Sequence, residues 1–97
     1  MPTYITLLRW TQKGIENVKE SPARLDAAKK AFQKAGGKMT QFYMVMGQYD
    51  MVAIAEAPDD ETASRMVLAT AAGGSVQTET LRAFTEDEYR KIVAGLP

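Results

Sequence analysis

The sequence predicts an α+β protein with a ferredoxin-like β-α-β-β-α-β order, a four-stranded antiparallel sheet and an additional C-terminal helix. Three observations predict it. Four runs rich in β-branched, aromatic and aliphatic residues are separated by helical patterns; paired glycines end two helical segments; and a short turn separates two adjacent strand runs. The 97 residues fit a single domain covering 1–97.

The first half of the pattern begins with a strand over Thr3–Trp10 and a short helix over about 12–19. Ser21 is placed to cap a second helix, with Pro22 at its first position and Gly36-Gly37 after its end. The apolar residues of this helix recur every three or four positions and predict one buried stripe: Leu25, Ala28, Phe32 and Ala35.

A hairpin is predicted from strands over 40–46 and 49–57, with Gly47-Gln48 as a two-residue turn. This register places Met44 opposite Met51 and makes both faces largely apolar. One face carries Phe42, Met44, Met46, Tyr49, Met51, Ala53 and Ala55. The other carries Gln41, Tyr43, Val45, Asp50, Val52, Ile54 and Glu56. Helices cover one face of such a sheet, so we expect a second copy of the chain to cover the other.

The second half predicts a helix that is capped by Asp59 or Asp60, runs through Ala72 and is ended by Gly73-Gly74. A strand over 76–84 follows. Thr85 and Glu88 then form a capping-box pattern that starts the closing helix.

The composition excludes several classes of site. The chain has no cysteine and no histidine, so disulfides, thiol nucleophiles and histidine-based catalysis or metal ligation are excluded. Twelve basic residues balance twelve acidic ones, and we expect no nucleic-acid partner. No segment has the length and hydropathy of a membrane helix or a leader peptide, so we expect no membrane partner and a cytoplasmic location.

The segment Met46-Gly47-Gln48-Tyr49-Asp50 resembles the Gly-x-Tyr-Asp signature of the GYD-domain family. Other stretches are similar to that family as well: Trp10–Ile15, Ser21–Arg24, Glu56–Asp60 and Thr80–Phe84. Together they span most of the chain in order. The resemblance implies a dimeric α/β-barrel fold, which agrees with the two apolar sheet faces. It implies no particular activity.

Five polar or aromatic residues are the candidate ligand-binding set: Trp10, Lys13, Tyr49, Asp50 and Arg82. Tyr49 and Asp50 could present a phenol and a carboxylate at a pocket mouth; alternatively Tyr49 packs and Asp50 binds backbone amides of the turn. Trp10 could stack on a ligand, or be a core residue whose indole N–H needs a partner. Lys13 and Arg82 could hold an anionic group. Otherwise Lys13 is a solvated charge and Arg82 pairs with Asp50 or Glu56.

Three functions fit these observations. The first is a homodimeric module that binds a small, partly apolar molecule in a cavity between sheet and helices. The second is a structural subunit without a ligand. The third is an isomerase- or monooxygenase-like enzyme of the dimeric α/β-barrel type, whose chemistry would have to use the five candidate residues. We expect the binding module, as a homodimer or higher homo-oligomer, with no cofactor, no metal and no assigned catalytic residue.

Overall fold

The computed structural model describes all 97 residues and has the predicted order of elements. They are β1 (Thr3–Trp10), α1 (Gln12–Glu16), a 3₁₀ turn (Val18–Glu20), α2 (Ser21–Lys34), β2 (Lys38–Met44), β3 (Met51–Glu56), α3 (Asp60–Ala72), β4 (Val76–Ala83) and α4 (Glu86–Ala94). The strands lie in the order β2-β3-β1-β4, and every neighbouring pair is antiparallel. This confirms the ferredoxin-like prediction. None of the helices has both the length and the apolar character needed to cross a bilayer.

The start of α2 differs from the prediction. Ser21 lies inside the helix rather than capping it, and Glu20 occupies the cap position without a side-chain hydrogen bond. The reason is that the 3₁₀ turn over Val18–Glu20 leads directly into α2, so Ser21 already has helical backbone angles. Pro22 keeps its predicted place in the first turn, where its missing N–H costs nothing.

The hairpin register is confirmed at Met44 opposite Met51, but the predicted two-residue turn is wrong. β2 ends at Met44 and β3 begins at Met51, and residues 45–50 form the connection, which the Val45 amide closes by donating to the Asp50 carbonyl at 2.8 Å. Met46 and Tyr49 are therefore not strand partners. The Asp50 amide donates to the Leu8 carbonyl of β1, so it is not available to extend the hairpin ladder.

Two helix caps are confirmed. The Asp59 side chain accepts from the Thr62 amide. Hydrogen bonding to Thr62, first to its side chain and then to its amide, lowers the pKa of the Asp59 carboxyl. Thr85 and Glu88 form the reciprocal capping box at α4. The hydrogen bond from the Thr85 amide likewise lowers the pKa of the Glu88 carboxyl. The local sequence alone thus specifies where α3 and α4 begin.

The sheet presents its Met51 face to the helices. Register places Tyr4 opposite Ala55 and Leu8 opposite Met51, so these residues share that face with Ala53. All five are buried. The helix-facing side is therefore the face that the sequence groups around Phe42, Met51 and Ala53, a choice that the sequence left open.

No helix packs against the opposite face of the sheet. Its apolar residues lie in all four strands: Ile5, Leu7, Tyr43, Val52, Ile54 and Leu81. Tyr43 is 53% exposed and Leu81 47% exposed. We call these six residues the open sheet face. The closing helix α4 does not cover it, because the apolar stripe of α4 and of the residues directly after it is itself exposed: Tyr89, Ile92, Val93 and Leu96.

Candidate functional site

A cavity of about 390 Å³ lies between the sheet and helices α2 and α3. Its volume falls within the range of roughly 300–1,000 Å³ that small-molecule pockets occupy. The lining is mostly apolar, and sheet and helices both contribute to it: Leu8, Phe42, Met51, Ala53 and Ala55 from the strands, and Leu25, Ala28, Phe32, Met66 and Val67 from the helices. The face that the sequence groups around Phe42 and Met51 is thus the floor of a pocket.

Small side chains on both sides leave this volume open. Ala53 and Ala55 lie in the floor, while Ala27, Ala28 and Ala31 line it from α2. Alanine facing alanine does not fill the space between a sheet and a helix, whereas protein interiors are normally packed with few voids larger than a water molecule. The cavity therefore depends on the alanine positions of α2 and β3.

Asp50 joins the connection after β2 to the end of β1. Its Oδ2 accepts from the Trp10 amide at 2.9 Å, and its own amide donates to the Leu8 carbonyl at 2.9 Å. The Asp50 carboxylate therefore binds a backbone amide and not a ligand group, which is the second of the two roles considered for Asp50. The amide belongs to β1 rather than to the turn.

Tyr49 lies on the other side of the sheet from the cavity. The Arg9 guanidinium lies 4.6 Å from the centre of the Tyr49 ring, and the Tyr49 hydroxyl donates to Glu79 at 3.4 Å. Arg9 also donates to the Gln48 carbonyl at 2.7 Å. These groups border a shallow polar depression of about 170 Å³ at the edge of the open sheet face. Tyr49 and Asp50, adjacent in the sequence, thus have separate surroundings.

Trp10 and Lys13 lie where β1 enters α1. Trp10 packs against the buried cluster of Leu8, Met51 and Ala53, and its Nε1 is buried without a hydrogen-bond partner. Lys13 is exposed, and its Nζ donates to the Gly73 carbonyl at the end of α3 at 3.1 Å. Neither residue lines the cavity. Lys13 therefore binds one carbonyl at the C-terminal end of a helix, where a cation is favourable.

Arg82 lies at the far end of the sheet, opposite Tyr4 in the register. Its Nε is 3.9 Å from Asp60, and its guanidinium lies 4.5 Å from the centre of the Phe84 ring. The predicted ion pair exists, but its partner is Asp60 rather than Asp50 or Glu56. The reason is the position of Arg82 beside the start of β1, where α3 begins.

Tyr4 forms a second link to Asp60, and its hydroxyl donates to Oδ1 at 2.5 Å. Burial, supported by this hydrogen bond and by the Asp60 charge, raises the pKa of the Tyr4 phenol to about 12. The phenol stays protonated at all physiological pH values and so remains a donor. This end of the sheet is a structural joint between β1 and α3.

The five candidate residues do not form one site. Trp10, Lys13, Tyr49 and Asp50 surround the end of β1, whereas Arg82 lies about six strand residues away, roughly 20 Å. No group of three or more acidic side chains is arranged to hold a metal ion.

The sequence reasoning missed Arg24, which lines the cavity from α2. A signal was present in the sequence. Arg24 precedes Ala28 by four residues and Ala31 by seven, a helical spacing that places all three on one face.

Comparison with known proteins gives a consistent assignment. The family model described as the GYD domain matches residues 4–93. A Thermus thermophilus protein named glutamine synthetase and cystathionine beta-lyase binding protein is 37% identical over 84 residues, covering 86% of this chain and 88% of that protein.

Two solved structures are similar in fold. The crystal structure of TTHA0845 from Thermus thermophilus has a TM-score of 0.55 at 28% identity, covering 88% of this chain and 95% of that one. The leucine response regulatory protein of Mycobacterium tuberculosis has a TM-score of 0.60 at 15% identity, covering 89% of this chain and 54% of that one, and supports the fold alone. Since the family model spans nearly the whole chain and a relative above 30% identity covers most of it, this protein belongs to the GYD domain family.

Proposed function

We propose that the protein is a homodimeric module that binds a small, largely apolar molecule in the cavity between its sheet and helices. The observation that carries the proposal is the cavity itself, about 390 Å³ with a mostly apolar lining. The cavity is partly open to solvent, so the apolar side chains that line it lack packing contacts on that side. A ligand that fills it would recover them.

The homodimeric part of the proposal rests on the open sheet face. A soluble monomer seldom exposes a contiguous apolar surface of this kind. A second copy that packs its own open sheet face against this one would bury Tyr43 and Leu81 together with the four residues between them. The cavities would then lie on the outer sides of the paired sheets and stay accessible.

A bulky side chain in the roof of the cavity tests ligand binding. Ala28→Phe is expected to fill part of the volume, because Ala28 lines it from α2. Native mass spectrometry of freshly purified protein is expected to show an added small-molecule mass on the unsubstituted chain and at least a tenfold lower ligand-bound fraction in Ala28→Phe.

Ala23→Phe is the matched control, since Ala23 is exposed on the same helix and does not line the cavity. It is expected to keep the bound mass. A ligand retained equally by both variants would lie elsewhere, and a freshly purified protein without any added mass would favour the structural subunit.

A second candidate function is the binding of another protein. Two observations favour it. The Thermus relative is named for binding two enzymes, and α4 exposes Tyr89, Ile92 and Val93, with Leu96 exposed just beyond its end. An amphipathic helix with an uncovered apolar stripe can dock into a groove of a partner. The partner class that we propose is a metabolic enzyme, with glutamine synthetase as the first to test.

Truncation of the α4 stripe tests this second function. Isothermal titration of the protein into purified glutamine synthetase is expected to detect binding, and Ile92→Ala is expected to weaken it about tenfold. Lys91→Ala, on an adjacent and exposed position of α4, is expected to change the affinity less than twofold. Equal losses in the two variants, or no binding by the unsubstituted protein, would contradict the proposed role of the stripe.

A further inference from the structure

Arg24 is the only charged side chain that lines the cavity. It belongs to the first turns of α2, and the other polar lining groups are the hydroxyls of serine and threonine residues. A single cation at the edge of an apolar pocket is the arrangement that orients a ligand with one charged end, because the few polar groups of a pocket decide how a ligand lies in it.

The structure leaves the Arg24 guanidinium partly unsatisfied. Nη1 donates to the Asn17 carbonyl at 3.2 Å and lies 4.0 Å from the Glu20 carboxylate, the outer limit of an ion pair. Nη2 is buried and has no hydrogen-bond partner. The Arg24 side chain is 32% exposed, whereas that of Glu20 is 73% exposed, so water screens the one nearby carboxylate. Buried donors normally have an acceptor, and here the protein supplies none.

We propose that the cavity binds an amphipathic organic anion, with an apolar body among the alanine and methionine side chains and a single carboxylate that accepts hydrogen bonds from the Arg24 guanidinium. This inference rests on the proposed cavity function and adds the chemical class of the ligand. Hydrogen bonds from guanidinium to carboxylate are charge-assisted and about twice as strong as neutral ones. The carboxylate would supply the counter-charge that Glu20, at 4.0 Å and 73% exposed, provides only weakly.

Two ligands of equal chain length distinguish the contribution of the charged group to binding from that of the apolar chain. Octanoate and 1-octanol are titrated into the protein, and binding is followed by calorimetry and by the fluorescence of Trp10. Trp10 is the only tryptophan and packs against the cluster of Leu8, Met51 and Ala53, which lines the cavity. The unsubstituted protein is expected to bind octanoate at least tenfold more tightly than octanol.

Arg24→Met is expected to abolish that preference, because methionine keeps an unbranched apolar stem and removes the donor. Arg65→Met is the matched control. Arg65 also pairs with a glutamate four residues earlier, Glu61 at 2.7 Å, but it does not line the cavity. It is expected to keep the full preference for octanoate.

The outcomes distinguish this inference from the function on which it rests. Equal affinities for octanoate and octanol would overturn the anionic ligand and leave the cavity function standing, and this comparison needs no variant. A preference for octanoate that survives Arg24→Met would overturn the role of Arg24. If neither probe binds, the cavity function and the ligand class fail together.

Discussion

Gly14→Ala is expected to lower the free energy of unfolding by about 3 kcal/mol, the upper part of the range for overpacking a tight site. A Cβ at this position would lie 1.9 Å from the carbonyl oxygen of Ser75, far inside van der Waals contact. That oxygen already accepts from the Thr11 amide at 3.0 Å, so pushing it away would also break the hydrogen bond that joins the start of α1 to the start of β4. Chemical denaturation measures the loss.

Gly95→Ala is the control for this substitution. Gly95 has a φ of −86° in the C-cap of α4, and the nearest atom to its added Cβ is 3.6 Å away. We expect a change within about 0.5 kcal/mol. If the Gly14→Ala variant were as stable as the unsubstituted protein, this result would contradict the close contact between Gly14 of α1 and the Ser75 carbonyl.

Ile54→Lys is expected to convert the proposed homodimer to a monomer. Ile54 lies at the centre of the open sheet face, between Ile5 and Gln41 of the neighbouring strands. A two-fold interface repeats every substitution, so two lysines would have to be buried against apolar surface. Light scattering at micromolar concentration is expected to give about 21 kDa, twice 10.7 kDa, for the unsubstituted protein and about 10.7 kDa for the variant.

Two further variants test whether the loss of the dimer is caused by misfolding or by the addition of a lysine anywhere on the surface. Leu81→Lys changes the same face at a more exposed position, 47% exposed, and is expected to dissociate the dimer with little effect on the fold. Leu68→Lys replaces an equally apolar residue that is 69% exposed on α3, away from the open sheet face, and is expected to remain dimeric. An unsubstituted protein that runs as a monomer, or a dimer that tolerates both sheet substitutions, would contradict the proposed interface.

Most of the fold could be predicted because it depends on short-range signals. The bounds of β1, the Asp59 cap of α3 and the Thr85–Glu88 capping box follow from residues that lie within one turn or one strand of each other. The conformation of the hairpin connection could not be predicted, because Asp50 forms hydrogen bonds with Leu8 and Trp10, about forty residues earlier in the chain. Those contacts with β1 override the two-residue turn that Gly47 favours.

The candidate site was less accessible to sequence reasoning. Tyr49 and Asp50 are neighbours in the sequence and have complementary side chains, yet they contact different parts of the protein. Arg9 and Glu79 contact the Tyr49 ring and hydroxyl, whereas the Asp50 carboxylate accepts from the Trp10 amide. The helical spacing of Arg24 was a weak signal, since an arginine in the first turns of a helix is usually solvated. Its importance depends on the cavity beside it, which exists only once α2 and α3 are placed over the sheet.

The sequence by itself determined the order of the elements, the pairing of Met44 with Met51 between β2 and β3, and the apolar character of both sheet faces. Strand alternation and helix periodicity, on which these depend, are local properties. Only the tertiary structure decided which face the helices cover. That choice depends on how α2 packs against β2 and α3 against β4. It made the Met51 face the floor of a cavity and left Tyr43, Ile54 and Leu81 on the open sheet face. The two apolar faces, equivalent in the sequence pattern, thereby acquired different surroundings.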